Sequence, residues 1–285
     1  MLRLNELKLP LDHAPDALRP AIVQRLGIAD ADLLDYTIFR RGYDARKKSA
    51  ILLVYSIDLT LRDEAAVRAR LADDRHLVPT QDMAYRFVAQ APADLQNRPV
   101  VIGTGPCGLL AGLVLAQMGF KPIILERGKA VRERTKDTWG LWRKNTLNPE
   151  SNVQFGEGGA GTFSDGKLYS QIKDPHFHGR KVLEEFVKAG APEEILYVSK
   201  PHIGTFRLVK MVENMRATIT GLGGEIRFGS KVERILIEDH QVRGVELAGG
   251  ETIATEHVVL AIGHSARDTF QMLHEAGVYI EAKPF

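Results

Sequence analysis

Apolar and polar residues alternate along LRLNELKL at the start of the chain, the period of a half-buried strand. From about Ala17 to Leu26 the spacing becomes helical. YTIFRRGYDARKKSAILLVYSIDL alternates twice, which predicts two strands around a basic turn. RDEAAVRARLADD gathers leucine, valine and alanine on one helical face, and AYRFVAQ (84–90) reads as a last strand. The order β-α-β-β-α-β predicts a small α+β, ferredoxin-like domain over residues 1–95. APADLQNRP (91–99) has the proline and polar content of a linker.

From residue 96 the pattern predicts an α/β domain that runs to residue 285. A buried strand VVI (100–102) leads into a helix from about Cys107 to Met118, and a second strand, PIIL, ends at Glu126. A charged helix follows over roughly 129–144, carrying Trp139 and Trp142 three residues apart, where packing of the helix explains both. GEGGAGTFSDGK (156–167) fits neither period. Helices are expected near 180–189 and 206–221, then short strands EIRF, KVERILIE, QVRGVELA, ETIA and HVVLAIG, and an amphipathic helix over 265–277.

The first strand–helix junction reads Gly103-x-Gly105-x-x-Gly108. In a dinucleotide site the first glycine allows the tight turn, the second lets backbone approach a pyrophosphate, and the third lets helix and strand pack closely. The helix N-terminus offers unpaired N–H groups and the positive end of its dipole. Glu126 ends the second strand, where a carboxylate accepts hydrogen bonds from ribose hydroxyls and repels a 2′-phosphate. The fingerprint with its strand, helix and acid predicts a dinucleotide but does not separate NAD from FAD.

Charge and composition narrow the field. The net charge is +2, no signature of a nucleic-acid or membrane binder. The basic turn at 40–48, with Arg40, Arg41, Arg46, Lys47 and Lys48, reads as a solvated hairpin tip, with RNA or phosphate contact as the alternative. Cys107 is the single cysteine, which excludes an intrachain disulfide and a dithiol redox pair. The N-terminus has no apolar run of the kind a signal peptide needs, and no stretch reaches the roughly 18 residues of a membrane span. A cytoplasmic enzyme is the expectation.

GTGPCGLLAGLVLAQMGFKPIILERG, GEGGAGTFSDGKLYS, KPHIGTFRLVKMVENMR and VVLAIGHSARDTFQMLHEAG together resemble a bacterial family of FAD-dependent dehydrogenases. Its members are described as NAD(FAD)-utilising dehydrogenases of unknown substrate. The resemblance implies a Rossmann-like FAD-binding domain with an inserted β-meander, built in the manner of glutathione reductase. It implies FAD as cofactor and an oxidoreductase that exchanges electrons with NAD(P)H, a reduced substrate or a small-molecule acceptor. By position it assigns Gly103, Gly105, Pro106 and Gly108 to the pyrophosphate loop, and Glu126 and Arg127 to the adenosine ribose. Gly158, Gly159, Ala160, Gly161 and Thr162 fall on a second glycine-rich segment near pyrophosphate and flavin. Val232 falls at the adenine edge, and Ala261, Gly263 and His264 mark the last FAD-side strand. Family members continue past this length, so the resemblance implies a chain truncated at its C-terminus.

No catalytic base is chosen by the sequence. Ser164, Asp165 and Lys167 are the polar candidates beside a flavin ring, with loop-holding as the plain alternative for Ser164 and Asp165. His202 and His264 are better sited than His176 and His178, around which no set of metal ligands is completed. A flavin-binding RNA-associated protein and a sensor without turnover are the alternatives to an enzyme.

Overall fold

The computed structural model describes residues 1–168 and 172–283. Tyr169 and Ser170, which end one of the quoted motifs, and the final Pro284 and Phe285 lie outside the described residues. The chain divides into two compact units. The first comprises residues 1–85, 168–184 and 192–201; the second comprises 86–167, 185–191 and 202–285.

The first unit begins with β1 (Leu2–Pro10), α1 (Leu18–Leu26), β2 (Leu33–Asp44), β3 (Leu52–Leu61), α2 (Glu64–Arg70) and β4 (Leu77–Pro79). Its strands form one antiparallel sheet in the order β2-β3-β1-β4. Leu2 and Leu4 of β1 are buried; a register shift then carries the apolar set on to Leu7. These leucines pack with Ile22 and Leu26 of α1, Ile57 and Leu59 of β3 and Val67 of α2. α1 stops at Gly27 in the left-handed conformation, and Asp63 caps α2 by accepting a 2.9 Å hydrogen bond from the Ala66 N–H.

Residues 84–90 are not a strand. The sheet closes instead with the three residues of β4, which pair with Leu2–Leu4. β1 is bonded to β3 on its other side, and β4 and β2 are the outer strands of the sheet. Val88 there is 90% exposed.

The second unit is mixed α/β with a parallel sheet. β5 (Val100–Ile102) passes through α3 (Pro106–Gln117) to β6 (Ile123–Leu125). α4 (Val131–Lys144) follows, then α5 (His178–Lys188), whose residues 178–184 belong to the first unit. α6 (Thr205–Gly221) returns the chain to β7 (Glu225–Arg227). An antiparallel meander of β8 (Val232–Glu238), β9 (Gln241–Leu247) and β10 (Thr252–Ala254) precedes β11 (Val258–Leu260) and α7 (Arg267–Glu275). The parallel sheet has the order β11-β5-β6-β7. EIRF and HVVLAIG, read along the chain as part of a run of short strands, are its two edges.

Burial on both faces explains the unbroken apolar runs of β5 and β6. Val100, Ile102, Ile123 and Leu125 pack against the meander and Leu273 of α7. On the other face Ile124 meets α3 at Gly112, where a Cβ would lie 2.2 Å from the isoleucine Cδ1. Packing does not account for the tryptophans of α4: Trp139 is 47% and Trp142 59% exposed. Arg143 lies over the Trp139 ring, and Trp142 meets the edge of Phe163. The apolar face of α4 is narrow, and its buried residues are Val131, Arg134 and Thr138.

Candidate functional site

Successive strands run outward from β5 through β6 to β7, and the chain then crosses back to place β11 on the other side of β5. Such a reversal leaves a crevice at the carboxyl ends of the strands. A cavity of about 420 Å³ lies there, in the size range of small-molecule sites. Gly103, Gly105, Pro106, Glu126, Arg127, Gly159, Ala160, Val232, Ala261, Gly263 and His264 line it. Among the sequence-derived residues, Gly108, Gly158, Gly161 and Thr162 do not line it and lie behind the surface or beside it.

The glycines of the first loop answer to different contacts. Gly103 has φ +103°, and a Cβ there would lie 2.5 Å from the Ala261 carbonyl oxygen. A Cβ on Gly108 would lie 1.9 Å from the Gly103 carbonyl oxygen. Gly105 has no protein atom within 4 Å of its Cβ position and ordinary extended backbone, with φ −65° and ψ −179°. Nothing in the protein requires a glycine at 105; the open space faces the cavity it lines. Gly105 caps α3 and Pro106 follows in the first turn, so the N–H groups of Cys107 and Gly108 begin the helix without intrahelical acceptors.

The second glycine-rich segment packs directly on the first. The Gly158 N–H donates to the Thr104 carbonyl at 2.8 Å, and a Cβ on Gly159 would sit 3.3 Å from Gly105 Cα. Ala160 opens a 3-10 turn, Ala160–Phe163, a second N-terminus at the same cavity. Thr162 is buried and its hydroxyl donates to the Gly159 carbonyl at 3.0 Å.

Arg134, which the sequence reading passed over, shapes this segment. Its guanidinium is fully buried and donates to the carbonyls of Asn152, Val153, Gly156, Glu157 and Gly159 at 2.5–3.0 Å. Burial pushes its pKa down to about 10, which leaves it charged at neutral pH. The planar fork suits several acceptors at once. Glu157, also fully buried, accepts from the Val131 N–H at 2.8 Å at the start of α4 and from Arg216 at 3.0 Å. Burial raises its pKa above the ordinary glutamate value. In sequence Arg134 is one charged residue among others in a charged helix, and Glu157 sits among the glycines of the second glycine-rich segment; neither type marks its buried role.

Glu126 is 4% exposed. Its Oε2 accepts from the Thr104 N–H at 2.9 Å and the Thr104 hydroxyl at 2.6 Å; Oε1 accepts from the Gly128 N–H at 2.8 Å. Arg127 donates to both carboxylate oxygens of Asp268 at 3.0 and 2.8 Å and to Glu150 at 2.6 Å, and stacks on Phe155. Burial opposes its charge, but the hydrogen bonds to Asp268 and Glu150 outweigh burial and hold its pKa above the ordinary arginine value. Arg127 in turn holds the Asp268 carboxyl well below the usual carboxylate range. Lys231 adds a 3.1 Å ion pair to Asp268.

Ser164, Asp165, Lys167 and His202 lie outside the cavity lining. The Ser164 hydroxyl donates to Gly161 and accepts from the Gly166 N–H, the loop-holding role. Asp165 stands 3.4 Å from Lys167 and 3.5 Å from His202. His264 lines the cavity, with Nε2 3.3 Å from the Ser265 hydroxyl. The rings of His176 and His178 are 5.7 Å apart, and no group of metal-binding side chains occurs among the described residues. In the basic turn Arg46 is bidentate to Asp44, at 2.8 and 2.6 Å, so part of its charge is answered locally. Among the described residues no helix is long and apolar enough to cross a membrane.

Residues 1–60 match a domain of unknown function, DUF8436. An uncharacterized protein of Clostridium beijerinckii is 41% identical over 284 residues, covering 100% of this chain and 52% of that protein. The chain thus spans about half the length of the curated relative it matches. Among solved structures, Thermovibrio ammonificans THI4 aligns with a TM-score of 0.42 at 19% identity, over 64% of each chain. L-proline dehydrogenase from P. horikoshii aligns at 0.36 and 16% identity, over 65% of this chain and 57% of its own. OTEMO, solved in complex with FAD and NADP, aligns at 0.36 and 15%, over 61% and 26%.

Proposed function

We propose that the second unit binds FAD and that the protein is an FAD-dependent oxidoreductase. The observation that carries this reading is the meeting of the α3 N-terminus, the second glycine-rich segment and a strand-end carboxylate at one cavity. The first turn of α3, whose leading N–H groups have no intrahelical acceptors, stands at it, Gly159 and Ala160 form part of its wall, and Gly105 leaves room where a Cβ would otherwise project. These suit a diphosphate. Glu126 offers an acceptor for a sugar hydroxyl and opposes a 2′-phosphate.

FAD would be held by Gly103–Pro106, Gly159 and Ala160 at its diphosphate, by Glu126 at its ribose, and by Val232 and Arg127 at the adenine side. The second glycine-rich segment and the meander set before β11 favour FAD over NAD in this site. Bound FAD supplies two-electron hydride chemistry; the protein's part is to bind, orient and shield it. Arg134 holds the 152–159 carbonyls inward and so fixes the loop that carries Gly159. NAD(P)H or a reduced substrate is the proposed electron donor, a small molecule the acceptor, and the cytoplasm the location. The topology of the first unit, β-α-β-β-α-β with the order β2-β3-β1-β4, supports the ferredoxin-like reading of residues 1–95.

The test is to incubate the purified chain with FAD, remove free flavin, and record the visible spectrum, then add NADH or NADPH without oxygen. Retained flavin that bleaches with one nicotinamide supports the reading. A colourless protein whose melting temperature ignores FAD overturns it.

A further inference from the structure

We infer that Thr104 is a positioning residue that limits Glu126 to one hydrogen bond from a bound sugar. The inference rests on the reading of the cavity as an FAD site.

Thr104 is the variable residue between the first two glycines of the loop, and it is fully buried. All three of its polar groups are engaged. Its N–H and its hydroxyl both donate to Glu126 Oε2, at 2.9 and 2.6 Å, and its carbonyl accepts from the Gly158 N–H at 2.8 Å. One residue thereby links the first glycine loop, the end of β6 and the second glycine-rich segment.

The consequence follows from counting lone pairs. An ionised carboxylate has about four acceptor sites, two on each oxygen. Thr104 fills both on Oε2, and the Gly128 N–H fills one on Oε1. A single site is left, on Oε1, in a residue that lines the cavity. An adenosine ribose carries neighbouring 2′ and 3′ hydroxyls, and only one of them can donate to that site. A 2′-phosphate brings no donor at neutral pH and adds negative charge beside a carboxylate. Valine at 104 has nearly the shape of threonine but no hydroxyl, and would free a second site on Oε2.

The experiment displaces bound FAD from the full chain with ADP, 2′-deoxy-ADP and 3′-deoxy-ADP, in wild type, Thr104→Ser and Thr104→Val. In wild type and Thr104→Ser, one deoxy competitor should bind about tenfold more weakly than ADP, the loss of one hydrogen bond to a charged group. The other should bind within about twofold of ADP. In Thr104→Val both deoxy competitors should weaken, because both oxygens of Glu126 then accept. If both lose equally in wild type, or neither does, the inference is overturned while FAD binding stands. Thr104→Ser behaving like Thr104→Val also overturns it, since the hydroxyl would then not be the determinant. Should Thr104→Val fail to fold, wild type and Thr104→Ser still decide. Wild type that retains no FAD removes the site reading and this inference with it.

Discussion

Gly105 and Gly108 stand in one loop and answer to different demands. Gly108 is required by the protein itself: a Cβ would be driven into the Gly103 carbonyl oxygen. Gly105 meets no protein atom, so its demand comes from outside the chain. Gly108→Ala should therefore cost about 2–3 kcal/mol of stability, the scale of overpacking a close contact. Gly105→Ala should leave the melting temperature within about 2 °C, less than 1 kcal/mol for a chain of this size. It should nevertheless weaken FAD by at least about tenfold, because the new methyl occupies the space a diphosphate would use. Thermal unfolding and flavin fluorescence quenching separate the two. Equal effects of both substitutions on stability would contradict the division of roles.

Among elements, the 152–159 segment and α7 show how the cavity wall is held. The first has neither helix nor strand to satisfy its carbonyls, and Arg134 takes five of them. A buried charge so engaged organises irregular backbone in place of a ladder. α7 is tied at its first turn, where Asp268 pairs with Arg127 and Lys231. The hydrogen bond from Arg127 lowers the Asp268 pKa below its unfolded value. The stabilisation is therefore full above about pH 5 and lost as the pH falls below about 4 toward the folded pKa. Asp268→Asn should destabilise the protein at pH 7, and the gap to wild type should shrink as the pH drops from about 5 to 2. Urea midpoints across that range would show it; a gap that holds or widens in acid would remove the ion pair from the account.

On the scale of the molecule, the two units are interleaved along the chain. Residues 168–184 and 192–201 belong with residues 1–85. Within that unit the Arg41 N–H donates to the Tyr197 carbonyl at 2.7 Å, a bond from residues 1–85 to the 192–201 segment, while Arg180 ties the two later segments to each other through the Leu196 carbonyl at 2.8 Å. A fragment of residues 86–285 would keep the parallel sheet and lose the bond from Arg41 and the rest of residues 1–85 with which those segments group. Limited proteolysis should cut the fragment between 172 and 201 and spare that stretch in the full chain. Equal resistance in both would show that the segments hold without residues 1–85.

What the chain declared by itself was local. Alternation and helical spacing placed nearly every element, because the period of burial is written along each one. The glycine loop was legible because a tight turn and a close helix–strand approach exclude side chains at fixed positions. Tertiary structure decided what depends on partners far away in sequence. It used Leu77–Pro79 rather than 84–90 to close the first sheet, pairing them with Leu2–Leu4, a choice of distant partner that alternation along the chain does not carry. It drew β7 and β11 into the parallel sheet and left Trp139 and Trp142 exposed. It also gave Thr104 and Arg134 their roles, because a buried hydrogen bond depends on which groups the fold brings within reach, and residue type alone does not carry that.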